Sequence, residues 1–168
     1  MNVFKCSGFL AATVIILGLV PGCASGRSNN DLLVNRVSKL VDETTKSEKR
    51  QGKALKELET LGSQAVPYLV GHLQDIRPLA KSRMSFAHKT AGAFEGLRHY
   101  SPDTVHDALS AVLNQVTGKN FVFVYNGATP QEREENRRKW VVWCQETYPI
   151  QAARCNGEGR KAYSVGRQ

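Results

Sequence analysis

Hydrophobic residues recur every three or four positions along most of the chain after residue 30, and this spacing predicts amphipathic helices. The positions between them are mostly polar or charged and would form the outer faces of those helices. The predicted apolar faces comprise Leu33, Val37, Leu40 and Val41; Ala54, Leu55, Leu58 and Leu61; Val66, Leu69, Val70 and Leu73; Ala87, Ala91, Phe94 and Leu97; Val105, Ala108, Leu109, Val112, Leu113 and Val116; and Trp140, Trp143 and Cys144.

Residues typical of helix ends bracket several of these segments. Gly62 and Gly118 stand where a glycine commonly ends a helix. Ser101-Pro102-Asp103 predicts a helix start whose serine is the N-cap, and Thr129-Pro130-Gln131-Glu132 has the pattern of a capping box. The pattern leaves open whether a break separates the first two helices between Thr44 and Gly52.

The segment from Phe121 to Tyr125 consists of five residues with high β-sheet propensity. No second strand is visible for it to pair with, so we interpret it as a loop packed across the helices. The predicted fold class is therefore all-α: a compact antiparallel helical bundle with one irregular loop near 118–128.

The longest apolar run lies at the N-terminus, from Gly8 to Val20. A bilayer-spanning helix needs about 20 apolar residues, whereas a shorter run of this kind is typical of the central region of a secretory signal peptide. An ordinary signal peptide would be cleaved after Ala24 or Gly26.

The end of this run, Val20-Pro21-Gly22-Cys23, resembles the lipobox of bacterial lipoproteins. The resemblance implies cleavage before Cys23, a diacylglyceryl group on its sulfur, and attachment to a membrane through the acyl chains. Ala24 follows instead of aspartate. By resemblance to enteric lipoproteins, this implies an outer membrane location facing the periplasm.

These interpretations divide the chain into four parts. Residues 1–22 are a lipoprotein signal peptide that is removed, and residues 23–30 are a flexible tether of small and polar residues. Residues 31–149 form the α-helical domain. Residues 150–168, rich in glycine, arginine and polar side chains, are a basic and flexible tail.

The stretch "ALKELETLGSQAVPYLVGHLQD" (residues 54–75) resembles a HEAT-type repeat, in which one helix ends in Leu-Gly and the next begins near Ala-Val-Pro. Residues 113–121 and 128–140 are similar to the C-terminal pattern of some bacterial HEAT-like proteins. The resemblance implies HEAT-like helix pairs within the bundle. It also implies a protein partner, since HEAT proteins mostly bind other proteins and rarely catalyse.

Two cysteines remain once Cys6 is removed with the signal peptide and Cys23 is acylated. Cys144 and Cys155 are eleven positions apart, and an exported protein meets an oxidising environment, so we expect a disulfide between them. The alternative is a buried Cys144 and a free Cys155.

The formal net charge of the whole chain is +8. Part of it comes from one basic cluster: Lys46, Lys49, Arg50, Lys53 and Lys56. Their spacing places at least part of the cluster on one helix face, which could meet anionic headgroups, a polyanionic wall polymer or an acidic protein. The alternative is a solvated face that assists solubility. Nucleic acid fits poorly as a partner for an exported protein.

The sequence has no nucleotide-binding, nucleophile-elbow or metal-ligand pattern, so we expect no cofactor, no metal and no small-molecule substrate. His72, His88, His99 and His106 have no second ligand at helical spacing, and Asp107 is explained by the helix dipole. We therefore expect a lipid-anchored protein of the bacterial cell envelope that acts as a non-catalytic interaction or assembly module. The alternatives are a periplasmic inhibitor or immunity lipoprotein and a cell-wall enzyme.

Overall fold

The computed structural model describes residues 29–87 and 96–159, and most of these residues are helical. The signal peptide, most of the tether and the end of the predicted tail lie outside the described residues. The elements in chain order are α1 (Asn29–Glu43), α2 (Glu48–Leu61), a 3₁₀ turn (Gly62–Ala65), α3 (Val66–Gly71), β1 (Met84–Ala87), β2 (Leu97–Tyr100), α4 (Val105–Thr117), α5 (Pro130–Thr147), a second 3₁₀ turn (Pro149–Gln151) and α6 (Ala152–Cys155).

Helices α1 and α2 form an antiparallel pair. A break does separate the first two helices, a point that the sequence pattern left open. It ends at Ser47, whose hydroxyl caps α2 by accepting a hydrogen bond from the N–H of Arg50. Two interhelical ion pairs define the register. Arg36 Nη2 lies 2.8 Å from Glu57 Oε1, near the middle of the pair. Arg50 binds both carboxylate oxygens of Glu43, close to the turn.

A glycine turn leads from α2 into α3. Gly62 ends α2 as predicted, with a φ of 63° that favours glycine over any residue with a side chain. Pro67 lies in the first turn of α3, where its missing N–H costs no helical hydrogen bond. Leu58 and Leu69 pack into the core from the two helices and are completely buried.

The structure describes only the two ends of the segment predicted as a fourth helix, and both ends belong to strands of a β-hairpin. Strands β1 and β2 pair antiparallel, with Met84 opposite Tyr100 and Ala87 opposite Leu97. The all-α prediction is therefore wrong, because the structure combines helices with a two-stranded antiparallel sheet. Residues 88–95, which complete the predicted helix, lie outside the described residues.

The burial pattern of β1 explains the difference. Met84 and Phe86 are buried while the residue between them is exposed, and Phe86 meets the edge of the Tyr100 ring at a centroid distance of 6.1 Å. Helical spacing would turn one of the two buried side chains toward solvent, whereas a strand places both on one face. The prediction joined Ala87 and Leu97 along one helix, but they face each other across the hairpin.

Helix α4 forms the centre of the core, and every residue from Val105 to Leu113 is buried. Its N-cap is Thr104, which corrects the predicted cap at Ser101. The Thr104 hydroxyl accepts from the N–H of Asp107 at 3.4 Å. The Asp107 carboxylate in turn accepts from the N–H groups of Asp103 and Thr104, at 3.2 Å each. A capping box that the sequence analysis overlooked therefore starts this helix.

Asp107 also forms an ion pair with Arg133 of α5. Two bonds of 2.8 Å join the groups, from Arg133 Nε to Asp107 Oδ1 and from Nη2 to Oδ2. The Asp107 side chain has no exposed surface, and only 15% of the Arg133 side chain is exposed. A buried charge is tolerated when it is paired and hydrogen-bonded in this way. The pair therefore ties the start of α4 to α5.

Helix α5 begins at the predicted capping box, in which Thr129 and Glu132 exchange hydrogen bonds. Its Trp140 is completely buried. The irregular segment 118–128 packs over this part of the helix, and the ring of Phe121 meets Trp140 edge to face at 4.8 Å. The contact holds the segment against the helices without a sheet partner.

A disulfide joins Cys144 of α5 to Cys155 of α6, which confirms the predicted pairing. A crosslink over a loop of this length stabilises a fold by about 3 kcal/mol in the chain-entropy description. Helix α6 also packs tightly on α3, since a side chain at Gly71 would lie 2.5 Å from the carbonyl oxygen of Arg154. Residues 150–155 of the predicted tail are therefore folded onto the helices, because the disulfide and this packing hold them there.

Replacing Arg133 by methionine should leave the buried Asp107 carboxylate without its cation. We expect the free energy of unfolding to fall by about 3–5 kcal/mol, the usual cost of breaking a buried pair. Arg137→Met is the matched control, because its partner Glu134 is exposed and the loss should stay below about 1 kcal/mol. Urea denaturation measures both, and equal losses would contradict a structural role for the buried pair.

Candidate functional site

The predicted basic cluster lies on the exposed side of α2 and in the turn before it. Lys49, Lys53 and Lys56 are spaced by four and three residues, so they share one face of α2, and all three are exposed. None of them makes an ion pair within 4.0 Å with any residue that the structure describes. Their ammonium groups are therefore presented to solvent.

The other two residues of the cluster surround a carboxylate at the end of α1. The hydrogen bonds that Arg50 donates to Glu43 are the main cause that lowers the pKa of the Glu43 carboxyl. Lys46 is exposed in the turn after α1, and its charge lowers the pKa of Glu43 further. The predicted cluster thus divides into a lysine face on α2 and a charge-balanced group at the turn.

Helix α1 adds basic side chains that the sequence analysis missed. Arg36 and Lys39 lie beside Lys53 along a groove of about 500 Å³ between the two helices. The lining residues of this α1–α2 groove are Arg36, Lys39, Leu40, Glu43, Arg50, Lys53, Ala54 and Glu57. Only the antiparallel pairing brings α1 and α2 cations together. The sequence signal that could have found them is the spacing of Arg36 and Lys39, which are three residues apart and therefore neighbours on the polar side of α1.

The α1–α2 groove carries more positive than negative charge, with four cationic side chains against two carboxylates. Both carboxylates are paired with arginines, Glu57 with Arg36 and Glu43 with Arg50. Lys39 and Lys53 make no ion pair within 4.0 Å among the described residues.

An anionic group that entered the groove would meet these two lysines, between arginines that are already held in place. The groove offers positive charge and hydrogen-bond donors, and both favour the binding of an anionic group.

A second recess, of about 520 Å³, lies between α2 and the hairpin. Leu55, Met84 and Phe86 line it, and its edge reaches Ala87 and Leu97. These two edge residues adjoin positions 88–95, which lie outside the described residues. We therefore assign no role to this recess.

His106 and Asp107 are both committed to the fold. His106 is buried, and its Nδ1 donates to the carbonyl oxygen of Leu73 at 2.5 Å. Burial lowers the pKa of its imidazole. Asp107 binds Arg133 and two backbone N–H groups, so its role is larger than the helix-dipole contribution inferred from the sequence.

The other candidate residues are dispersed. His72 is buried and hydrogen-bonded to Ser38 at 3.1 Å, whereas His99 lies on the exposed side of the hairpin. His88 and the predicted lipidation residue Cys23 lie outside the described residues. Within residues 29–87 and 96–159, no three His, Cys, Asp or Glu side chains are grouped so that they could hold a metal ion.

Comparison of the chain with protein families, with curated proteins and with solved structures finds no match. In the part of the chain that the structure describes, no helix has both the length and the apolar character needed to cross a membrane.

His106 should make the stability depend on pH. Because burial lowers its native pKa below the ordinary 6.5, the unfolded chain binds more protons than the native state below that pH. We expect the free energy of unfolding to decrease as the pH falls from about 7 to about 5. His106→Asn keeps a donor for the Leu73 carbonyl and should reduce this dependence.

His99→Asn, on the exposed side of the hairpin, is the control and should retain the wild-type dependence. Denaturant titrations at a series of pH values measure the effect. An unchanged dependence in His106→Asn would contradict the assignment.

Proposed function

We propose that the protein is anchored by acyl chains on Cys23 in the bacterial cell envelope and acts there as a non-catalytic interaction or assembly module. Its proposed location is the outer membrane, with the helices facing the periplasm. The proposed partner is a protein that presents acidic groups. The α1–α2 groove is the observation that carries the interaction part of the proposal.

The proposed location is supported by two features at opposite ends of the chain. Cys23 follows the N-terminal apolar run, at the position of the lipobox cysteine in the proteins that it resembles. Cys144 and Cys155 are joined in a buried disulfide, and such bonds persist in oxidising compartments such as the periplasm. An acylated Cys23 also leaves these two cysteines free to pair only with each other after the signal peptide is removed.

The proposed mode of binding follows from the charges in the groove. Lys39 and Lys53 are exposed on two helices whose register is held by the Arg36–Glu57 and Glu43–Arg50 pairs. Because the two helices are already fixed, binding requires ordering of the lysine side chains but not of the backbone, which limits the entropy lost. Because the lysines are exposed, binding of an acidic surface should weaken as salt is added.

The HEAT-like resemblance supports the same class of function. The stretch that carries it, residues 54–75, forms most of α2, the 3₁₀ turn and α3 in the structure. Helix α2 presents its apolar side to the core and its lysine face outward. A helix pair with this division of faces is suited to contact a partner through its outer side.

The anchor can be tested by metabolic labelling with an alkyne-bearing fatty acid. We expect wild type to incorporate the label and Cys23→Ser to lose it, because the acyl acceptor is the Cys23 sulfur. Cys6→Ser is the matched control and should label as wild type, since Cys6 belongs to the removed signal peptide. Labelling of Cys23→Ser at the wild-type level would refute the anchor.

The groove can be tested by crosslinking in intact envelopes followed by quantitative mass spectrometry. Reversing two charges, in Lys39→Glu with Lys53→Glu, should reduce recovery of the specific partner at least about tenfold, since like charges brought together oppose binding. Lys119→Glu is the control, because Lys119 is an exposed lysine of the loop after α4.

Equal recovery with all three proteins would exclude the groove as the binding surface. Recovery of no specific partner with wild type would count against the interaction function itself.

A further inference from the structure

The antiparallel pairing of α1 and α2 determines what lies beside the start of α1, where the tether joins the domain. Arg36 pairs with Glu57. Closer to the turn, Glu43 pairs with Arg50. Because the helices are antiparallel, α1 begins at the end of the pair where α2 leads into the 3₁₀ turn Gly62–Ala65.

The C-terminal part of the chain reaches the same end of the molecule. Arg154 of α6 has its Nη2 atom 4.0 Å from Oδ1 of Asp31 in the first turn of α1. Ser63 of the 3₁₀ turn lines a shallow recess of about 400 Å³ together with Tyr148 and Ile150. The disulfide to α5 keeps this C-terminal segment in place.

Apolar side chains are exposed at this end. Ile150 is 100% exposed and Leu32 is 51% exposed. We call the surface formed by Leu32, Ser63, Tyr148, Ile150 and Arg154 the tether end.

The tether that leads to this surface is short. Only residues 24–28 separate Cys23 from α1, and an extended chain covers at most about 3.6 Å per residue, so the start of α1 lies within about 22 Å of Cys23. Helix α1 has 15 residues and is itself about 22 Å long. The opposite end of the domain can therefore be about twice as far from the anchor as the tether end.

We propose that the tether end rests on the lipid surface, with Ile150 and Leu32 in the interface. This inference depends on the proposed acylation of Cys23, which brings the surface within reach of the bilayer. Exposed apolar side chains are what interfacial contacts bury at the boundary between headgroups and acyl chains. The α1–α2 groove then extends away from the membrane and is open to a partner.

Ile76 provides a matched comparison, because it is the same residue type and is 70% exposed. Its neighbour Arg77 pairs with Asp42 near the end of α1, at 2.9 Å. Ile76 therefore lies at the opposite end of α1 from Ile150, and an interfacial tether end leaves it in water.

The test uses the full chain with its acylated N-terminus, reconstituted in vesicles of phosphatidylethanolamine and phosphatidylglycerol that contain a nitroxide-bearing lipid. Ile150→Cys and Ile76→Cys are each labelled with an environment-sensitive fluorophore under non-reducing conditions, which preserve the buried disulfide. Leu32→Cys is a second probe of the tether end in case the first variant fails to fold. We expect a blue-shifted emission and at least about twofold stronger quenching at positions 150 and 32 than at position 76.

The mass of the mature N-terminus, measured on the same preparation, separates the possible failures. If the chain is acylated and the labels behave alike, the tether end does not contact lipid, while the proposed anchor stands. If the chain carries no acyl group, both proposals fall. If position 150 is shielded in intact envelopes but not in lipid vesicles, a protein covers this surface and the lipid contact is refuted.

Discussion

The arrangement of the central helices depends on the interactions of the buried Asp107 carboxylate. It binds Arg133 of α5 and the two N–H groups that precede α4, and its neighbour His106 binds the carbonyl of Leu73, just after α3. A buried charge is costly unless it is paired and hydrogen-bonded. Helices α3, α4 and α5 are therefore held in one relative arrangement, and α4 can be buried along most of its length between its neighbours.

The surfaces with proposed roles lie away from this centre and depend on it indirectly. The core fixes the inner faces of α1 and α2, and the salt bridges between these helices align the basic side chains along the groove. The Cys144–Cys155 disulfide holds α6 on the helices, and Arg154 of α6 lies beside Asp31 at the start of α1. One end of the domain is thereby apolar and close to the tether, whereas the side of the α1–α2 pair is basic and open.

Features that arise within a few residues could be predicted from the sequence. Gly62, Gly118 and the capping box at Thr129 act on the helix in which they lie, so their effect can be deduced locally. The same reasoning chose the wrong cap for α4, because Ser101 and Thr104 both have a suitable side chain. The contact of Asp107 with Arg133, 26 residues later, favours the second.

By itself, the sequence determined most helical segments, the pairing of two cysteines and the short apolar run that precedes Cys23. These follow from spacing and composition, which act along the chain. Only the tertiary structure decided that Ala87 and Leu97 face each other across a hairpin, that Lys39 joins Lys53 in one groove, and that Arg154 lies beside Asp31 of α1. Local periodicity indicates which side chains are buried. Contacts between distant parts of the chain determine which element covers them.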